Sequence, residues 1–403
     1  MDFKLSEEEE MRRKEFWDVC QELEKEKPTS MMGLGIVEWE TEEEAVFEKR
    51  CRQEFAKRGW LRLGWPVEYG GAGTMMDRVF FDEATGYYGI PGVDMFGIGM
   101  IAPTLIEMGT KELKDRFLPP IGNGEVLWCQ LWSEPNAGSD LANVSTTAIR
   151  KGDEYTINGQ KTWTSFAHFA DWGFGLFKSD LQARKHRNLS FILVDMKTPG
   201  ITIRPLYYFS GMHLYNEVFF DDVHVPVENR VGEEGQGWQV TQAVAGFERS
   251  GAGMVTGLKR MLDNLIKYCN ETEVGGRLLA HDPVIRNRLA EAACAIEAAR
   301  TLAYYVADQQ RRPGGLGLFE ASAIKIFGSE VGEQMIASIG FDIMGTYGQV
   351  KHSKWAPQRG FWEDNCQWCF AAEVAAGTNE IQRNIIAWLG LGMPRPPRPA
   401  PKA

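Results

Sequence analysis

The stretch that decides the fold reads Gln130-Leu131-Trp132-Ser133-Glu134-Pro135-Asn136-Ala137-Gly138-Ser139-Asp140 at its front and Asn158-Gly159-Gln160-Lys161-Thr162-Trp163-Thr164-Ser165 at its back. The front is a kinked run of small and hydroxyl residues. Such a run brings backbone N–H groups close to a flat polar ligand without side-chain bulk. The back predicts a hairpin, with Tyr155-Thr156-Ile157 as one strand, Asn158-Gly159 as a type I′ turn and Gln160 to Ser165 as the returning strand. Trp163 then supplies an aromatic wall beside the hydroxyls of Thr164 and Ser165. Ser-Gly loops and hairpins also occur in proteins that bind nothing there, so the surrounding chain has to decide.

Upstream the pattern is helical. Ser6 and Glu9 have the spacing of a capping box, and Met11, Phe16, Trp17, Cys20 and Leu23 follow at helical intervals. Further helices are predicted over 42–57, 78–88, 96–108 and 111–117, the last stopped by Pro119-Pro120. The glycine cluster Gly70-Gly71-Ala72-Gly73 is not a dinucleotide fingerprint, because no strand leads into it.

From Val126 to about Trp238 short β-rich runs alternate with turns, which reads as an antiparallel barrel or sandwich. Helix then returns: one long helix from Gln239 to about Cys269, a second opened by Asp282-Pro283, a Pro/Gly turn over 311–317, a third over 318–339, and a last one opened by Thr378-Asn379. The chain therefore divides into a helical domain over 1–125, a middle β-domain over 126–238, a helical bundle over 239–393 and a loose proline-rich tail over 394–403.

A length of 403 residues accommodates two or three such domains. With 44% hydrophobic and 25% charged residues the chain is neither disordered nor fibrous. Its 44 basic and 55 acidic residues give −11, with no basic stripe, which argues against nucleic acid as principal partner. The start, Met1-Asp2-Phe3-Lys4, is unlike a signal peptide, and no apolar run reaches the length of a membrane span. Seven cysteines, an odd number, point to a reducing cytoplasm. Cys366 and Cys369 form the one CxxC and read as helix-packing residues, since no second pair accompanies them.

Taken together, Pro66–Gly71, Ser133–Asp140, Asn158–Lys161 with Trp163, Phe219–Pro226, Gly235–Trp238 and Gly377-Thr378-Asn379-Glu380-Ile381-Gln382-Arg383 resemble the FAD-dependent acyl-CoA dehydrogenase family, over nearly the whole chain. The resemblance implies N-terminal helices, a middle β-domain and a C-terminal four-helix bundle, assembled as a homotetramer or a mixed oligomer. It implies α,β-dehydrogenation of an acyl-CoA thioester, with an electron-transferring flavoprotein as acceptor.

By the same resemblance Ser133 and the backbone around it contact the isoalloxazine, Trp163 and Ser165 flank its N5 side, and Gln130, Leu131, Trp132, Gly138, Ser139 and Thr164 are further cofactor-binding candidates. Ser139 would also touch the acyl-CoA. The backbone N–H of Ala376 or Gly377 would hold the thioester oxygen. Asp342, Gly345, Thr346, Thr378 and Glu380 complete the FAD contacts, with Thr378 as a helix N-cap.

The chain departs from the family pattern in two places. Where many members carry a glutamate before Gly-Thr, this one has Ala375-Ala376. The alternative location for the base is the helix after the β-domain, where Phe247-Glu248-Arg249 stands. Its apolar neighbours Val244, Ala245, Phe247, Ala252 and Met254 would raise the carboxyl pKa. Glu248 is therefore the expected base, with Phe247 and Arg249 at the substrate.

Secondly, Thr272-Glu273-Val274-Gly275-Gly276 lacks the arginine that often reaches a neighbouring subunit's FAD, and Asp342 replaces a glutamine. Arg277 is a candidate to compensate. The relocated base and small Ala375-Ala376 point to a branched, bulky or aromatic acyl group, benzylsuccinyl-CoA-like compounds included, with Trp132, Trp355, Trp362 and Trp368 as candidate pocket walls. An acyl-CoA oxidase and a non-catalytic partner subunit are the competing readings.

Overall fold

A computed structural model describes residues 4–28, 31, 41–247, 252–310, 318–351 and 353–395. The chain forms two units, Met1–Glu248 and Arg249–Ala403.

In the first unit both halves of the Ser6/Glu9 capping box are present at the start of α1 (Glu7–Glu24). Equivalent boxes open α2 (Glu42–Lys57) from Thr41 and α3 (Met75–Tyr88) from Thr74. Phe16, Phe55, Trp60 and Phe81 interlock between these helices with centroids 4.7–6.1 Å apart. A π-helical turn, Gly97–Ile101, leads into α4 (Ala102–Met108). The expected stop at Pro119-Pro120 does not occur, because α5 (Lys111–Gly122) contains both prolines. They sit in its last turn, and their carbonyls accept from the N–H groups of Asn123 and Glu125, both at 2.9 Å.

The β-region consists of β1 (Trp128–Leu131), β2 (Thr147–Lys151), β3 (Glu154–Lys161), β4 (Trp172–Lys178), β5 (Leu189–Asp195), β6 (Ile201–Leu206), β7 (Tyr215–Pro226) and β8 (Arg230–Val231). They form one sheet in the order β6-β7-β3-β2-β4-β5-β8, with β1 alongside β4. The pairings of β1 and β2 with β4 are parallel and the rest antiparallel. Leu131, Tyr155, Ile157, Phe177, Ile192, Val218 and Phe220 build its core.

The predicted hairpin at Asn158-Gly159 is not there. Strand β3 runs straight through both residues, with a bulge against β7 between Ile157 and Gly159. The actual turn precedes it at Gly152-Asp153, joining β2 to β3. Asn158 bridges instead to Asp222, donating to its carboxylate and accepting from its N–H, each at 2.9 Å. Gly159 marks a close approach: a Cβ there would lie 2.7–2.8 Å from Thr146. After β8, helix α6 (Gly237–Phe247) starts against Ser190, where only glycine fits at position 237.

The second unit holds α7 (Ala252–Glu271), a short ribbon pairing Glu273–Val274 with Arg277–Leu278, and α8 (Pro283–Gln310), capped by Asp282. Helix α9 (Leu318–Ile326) passes through a π-helical segment, Phe327–Gln334, into α10 (Met335–Met344). The helix expected to end at Ile339 thus runs five residues further. Then follow α11 (Phe361–Val374), α12 (Asn379–Ile385) and a π-helical turn, Ile386–Gly390. The turn expected over 311–317 and most of the tail lie outside the described residues, as do 248–251 within the expected long helix. Among the described residues no helix is long and apolar enough to cross a membrane.

Candidate functional site

In the first unit the site is built on a buried ion pair. Lys161 ends β3 with its side chain fully buried, and its Nζ donates to Glu134 Oε1 at 2.9 Å, Leu176 O at 2.8 Å and Trp132 O at 3.2 Å. Glu134 accepts three further bonds, from Ser145 N (2.6 Å), Ser145 Oγ (2.7 Å) and Thr146 N (3.0 Å). Burial pushes the Glu134 carboxyl up, but Lys161 and these hydrogen bonds outweigh it and hold its pKa at about 2. Burial draws the Lys161 ammonium down to about 8, with Glu134 opposing. The pair is therefore charged at neutral pH.

Ser133 sits between these two anchors, and its carbonyl accepts from Thr162 N at 2.9 Å. Glu134 and Ala137 exchange backbone hydrogen bonds at 3.0 Å and close the loop. Gly138 and Ser139 are exposed, with open space where a Gly138 Cβ would stand.

The bond between Thr162 and Ser133 joins this loop to the second one. Thr164 and Asn216 exchange backbone hydrogen bonds at 3.0 Å, and Asn216 Nδ2 also donates to Thr164 O at 3.1 Å. Asn216 further links His168 (2.9 Å) and His213 (3.0 Å), whose rings stack 4.2 Å apart. Burial, with His213 adding to it, pushes the His168 pKa down to about 4. Trp163 stands on this frame in a left-handed conformation (φ 56°), 52% exposed, its ring edge-on to Tyr215. A bulky residue held at positive φ marks a constraint imposed by its surroundings.

Two buried polar atoms here, Thr164 Oγ1 and Trp132 Nε1, have no hydrogen-bond partner among the described residues. The exposed Trp163 face beside the small-residue Ser133 loop fits a flat aromatic cofactor such as a flavin ring. Of the predicted cofactor residues, the bond from Thr162 to Ser133 brings Ser133 beside the run Trp163-Thr164-Ser165, while the Trp132 ring packs edge-on to Phe174. Leu131 lies in the apolar core and has only its backbone to offer. Gln130 is turned toward Met100, with Nε2 3.6 Å from Sδ. Sequence reading missed Asn216, since nothing in Tyr215-Asn216-Glu217 distinguishes a buried clamp from a strand residue facing solvent.

The second unit holds the remaining residues. Thr378 caps α12, its hydroxyl accepting from Ile381 N at 3.3 Å, and Glu380 is exposed in the first turn. Ala376 and Gly377 form the exposed loop before it, both at positive φ. Gly345 (φ 55°) and Thr346 lie in the 3₁₀ turn after α10. Asp342 is paired with Arg288 at 2.5 Å, and the Arg277 guanidinium donates to His281 O. Trp362 is buried against Gly340 and is part of the core, whereas Trp355 is exposed. Cys369 donates to Cys366 O within α11. Phe247 ends α6, while Glu248 and Arg249 lie outside the described residues.

Comparison with known proteins gives a consistent result along the chain. Models of the acyl-CoA dehydrogenase N-terminal, middle and C-terminal domains match residues 6–125, 129–223 and 235–389 in order. The acyl-CoA dehydrogenase IpdE1 of Mycolicibacterium smegmatis is 38% identical over 88% of this chain and 90% of its own length. Among solved structures, the ChsE4-ChsE5 complex from Mycobacterium tuberculosis superposes with a TM-score of 0.86 at 31% identity, covering 98% of this chain and 100% of that one. A protein described as the Tcur3481-Tcur3483 steroid ACAD gives 0.85 at 27% identity, covering 98% and 100%.

Proposed function

The chain belongs to the acyl-CoA dehydrogenase family, flavin-dependent oxidoreductases with FAD as cofactor, and from that premise we propose that it desaturates a bulky, branched or polycyclic acyl-CoA between its α and β carbons. FAD supplies the acceptor for the β-hydride. Glu248 takes the α-proton onto its carboxylate, and the free N–H groups of the Ala376-Gly377 loop hold the thioester oxygen as negative charge builds there. Trp132, Ser133, Trp163, Thr164 and Ser165 would hold the flavin, and Ser139, Phe247 and Arg249 are the candidate acyl-CoA contacts. An electron-transferring flavoprotein would receive the electrons. The observation that carries the placement of the site is Trp163, exposed and held at positive φ beside the Ser133 loop that Thr162 ties to it.

Two facts support the bulky substrate. A similar structure is described as a steroid ACAD, and Ala375-Ala376 leaves methyl groups where many members carry a glutamate. The test is an anaerobic screen of visible flavin absorbance against straight, branched, aromatic, dicarboxylic and steroid-derived acyl-CoAs. The expected result is fastest bleaching with a branched or polycyclic thioester. Fastest bleaching with a short straight chain would sink the substrate reading, and no bleaching with any would sink the activity. Oxygen uptake without an added acceptor would mark an oxidase instead.

A second reading, a partner subunit of a mixed oligomer, is favoured by the missing arginine over Thr272–Gly276 and by the two-component descriptions of the similar structures. Its mark is a colourless protein when purified alone.

A further inference from the structure

The loop between α11 and α12 is held from behind by a neutral amide. Gln382, fully buried, donates from Nε2 to Ala376 O at 2.9 Å and to Gly377 O at 3.2 Å. Its Oε1 accepts from the equally buried Ser322 Oγ at 2.6 Å, which fixes which end of the amide faces the loop. Lys325 Nζ ties the flanking helix ends together, donating to Glu373 O at 2.9 Å and Asn379 Oδ1 at 2.6 Å.

Between those ties Ala376 (φ 54°) and Gly377 (φ 81°) are consecutive left-handed residues. An alanine keeps that conformation only where its surroundings impose it. A planar trans peptide sets its N–H opposite its C=O, so drawing the Ala376 carbonyl inward turns the Gly377 N–H outward. Neither the Ala376 nor the Gly377 N–H has a hydrogen-bond partner among the described residues, and both residues are exposed.

We propose that Gln382 is a positioning residue: by clamping the Ala376 and Gly377 carbonyls it aims the free Gly377 N–H at the thioester oxygen, with Ser322 setting the orientation of the amide. This rests on the dehydrogenase reading above. The position is also sterically coupled, since a Cβ at Gly377 would meet Gln382 Nε2 at 2.8 Å.

The experiment compares wild type, Gln382→Glu and Ser322→Ala, each with bound FAD, using the acyl-CoA that bleaches the wild-type flavin fastest. Gln382→Glu keeps the size but replaces the amide donors with a carboxyl facing two carbonyls. It is expected to slow flavin reduction roughly 10- to 100-fold while KM and FAD content stay near wild type, with a lowered melting temperature that remains above the assay temperature. Ser322→Ala, which retains the donors and frees the amide to turn, is expected to slow it about 3- to 10-fold with the same unchanged KM. Wild-type rates in Gln382→Glu, or a slowing matched by lost FAD or lost folding, would overturn the proposal and leave Gln382 a scaffold residue. If no acyl-CoA bleaches the wild-type flavin, the functional reading fails on the unmutated protein and this proposal falls with it.

Discussion

Two loops, one in each unit, are fixed by opposite means. The Ser133 loop is fixed by charge, with a fully buried ammonium and carboxylate gripping it on either side. The Ala376-Gly377 loop is fixed by a neutral amide that satisfies two carbonyls at once. A buried charge pair tolerates loss of one partner badly, because the other is left desolvated and unpaired. Removing a neutral clamp costs less, because the groups left unpaired are dipoles rather than a full charge. The first loop should therefore be stiff and pH-sensitive, and the second adjustable and indifferent to pH.

The largest effect tests that contrast directly. Glu134→Ala leaves Lys161 as a buried cation with two carbonyls for company, and the expected cost is about 3–5 kcal/mol. Gln382→Met in the other unit should cost only about 1–3 kcal/mol. Denaturant unfolding of both variants measures the difference. Equal costs would break the comparison.

A smaller effect sharpens it. The Glu134 carboxyl is lowered from 4.5 to about 2 in the folded chain. Its contribution is thus fully present above about pH 4.5 and is lost as pH falls through about 2. Wild-type stability should decline across that window more steeply than in Glu134→Gln, and Gln382→Met should keep the wild-type slope. Unfolding midpoints between pH 2 and 5 provide the check. A slope unchanged in Glu134→Gln would remove the charge argument.

How much of this was legible in the sequence depended on whether the deciding contact was local. The caps at Ser6/Glu9, Asp282 and Thr378 were readable because each partner stands within three residues. The order helix, sheet, helix was readable from periodicity. Asn158-Gly159 was misread because its local chemistry is that of a turn, whereas Thr146 and Asp222, far along the chain, made it a bulged strand. The prolines at 119 and 120 read as a stop, yet the helix ends only at Gly122 because both proline carbonyls still accept, from Asn123 and Glu125. In the site, the tryptophan and hydroxyl residues were visible as types. The Lys161–Glu134 pair and the Gln382 clamp were not, because a lysine in a strand or a glutamine in a helix shows its function only through distant partners.

The central claim is that a carboxylate at position 248 removes the α-proton while hydride leaves for the flavin. The most direct test is rapid anaerobic mixing of Glu248→Gln and wild type with the best acyl-CoA, following flavin absorbance. Slowing of reduction by roughly 10²- to 10⁴-fold, with FAD and thioester binding retained, is the predicted result. Reduction at the wild-type rate would contradict it and place the base elsewhere.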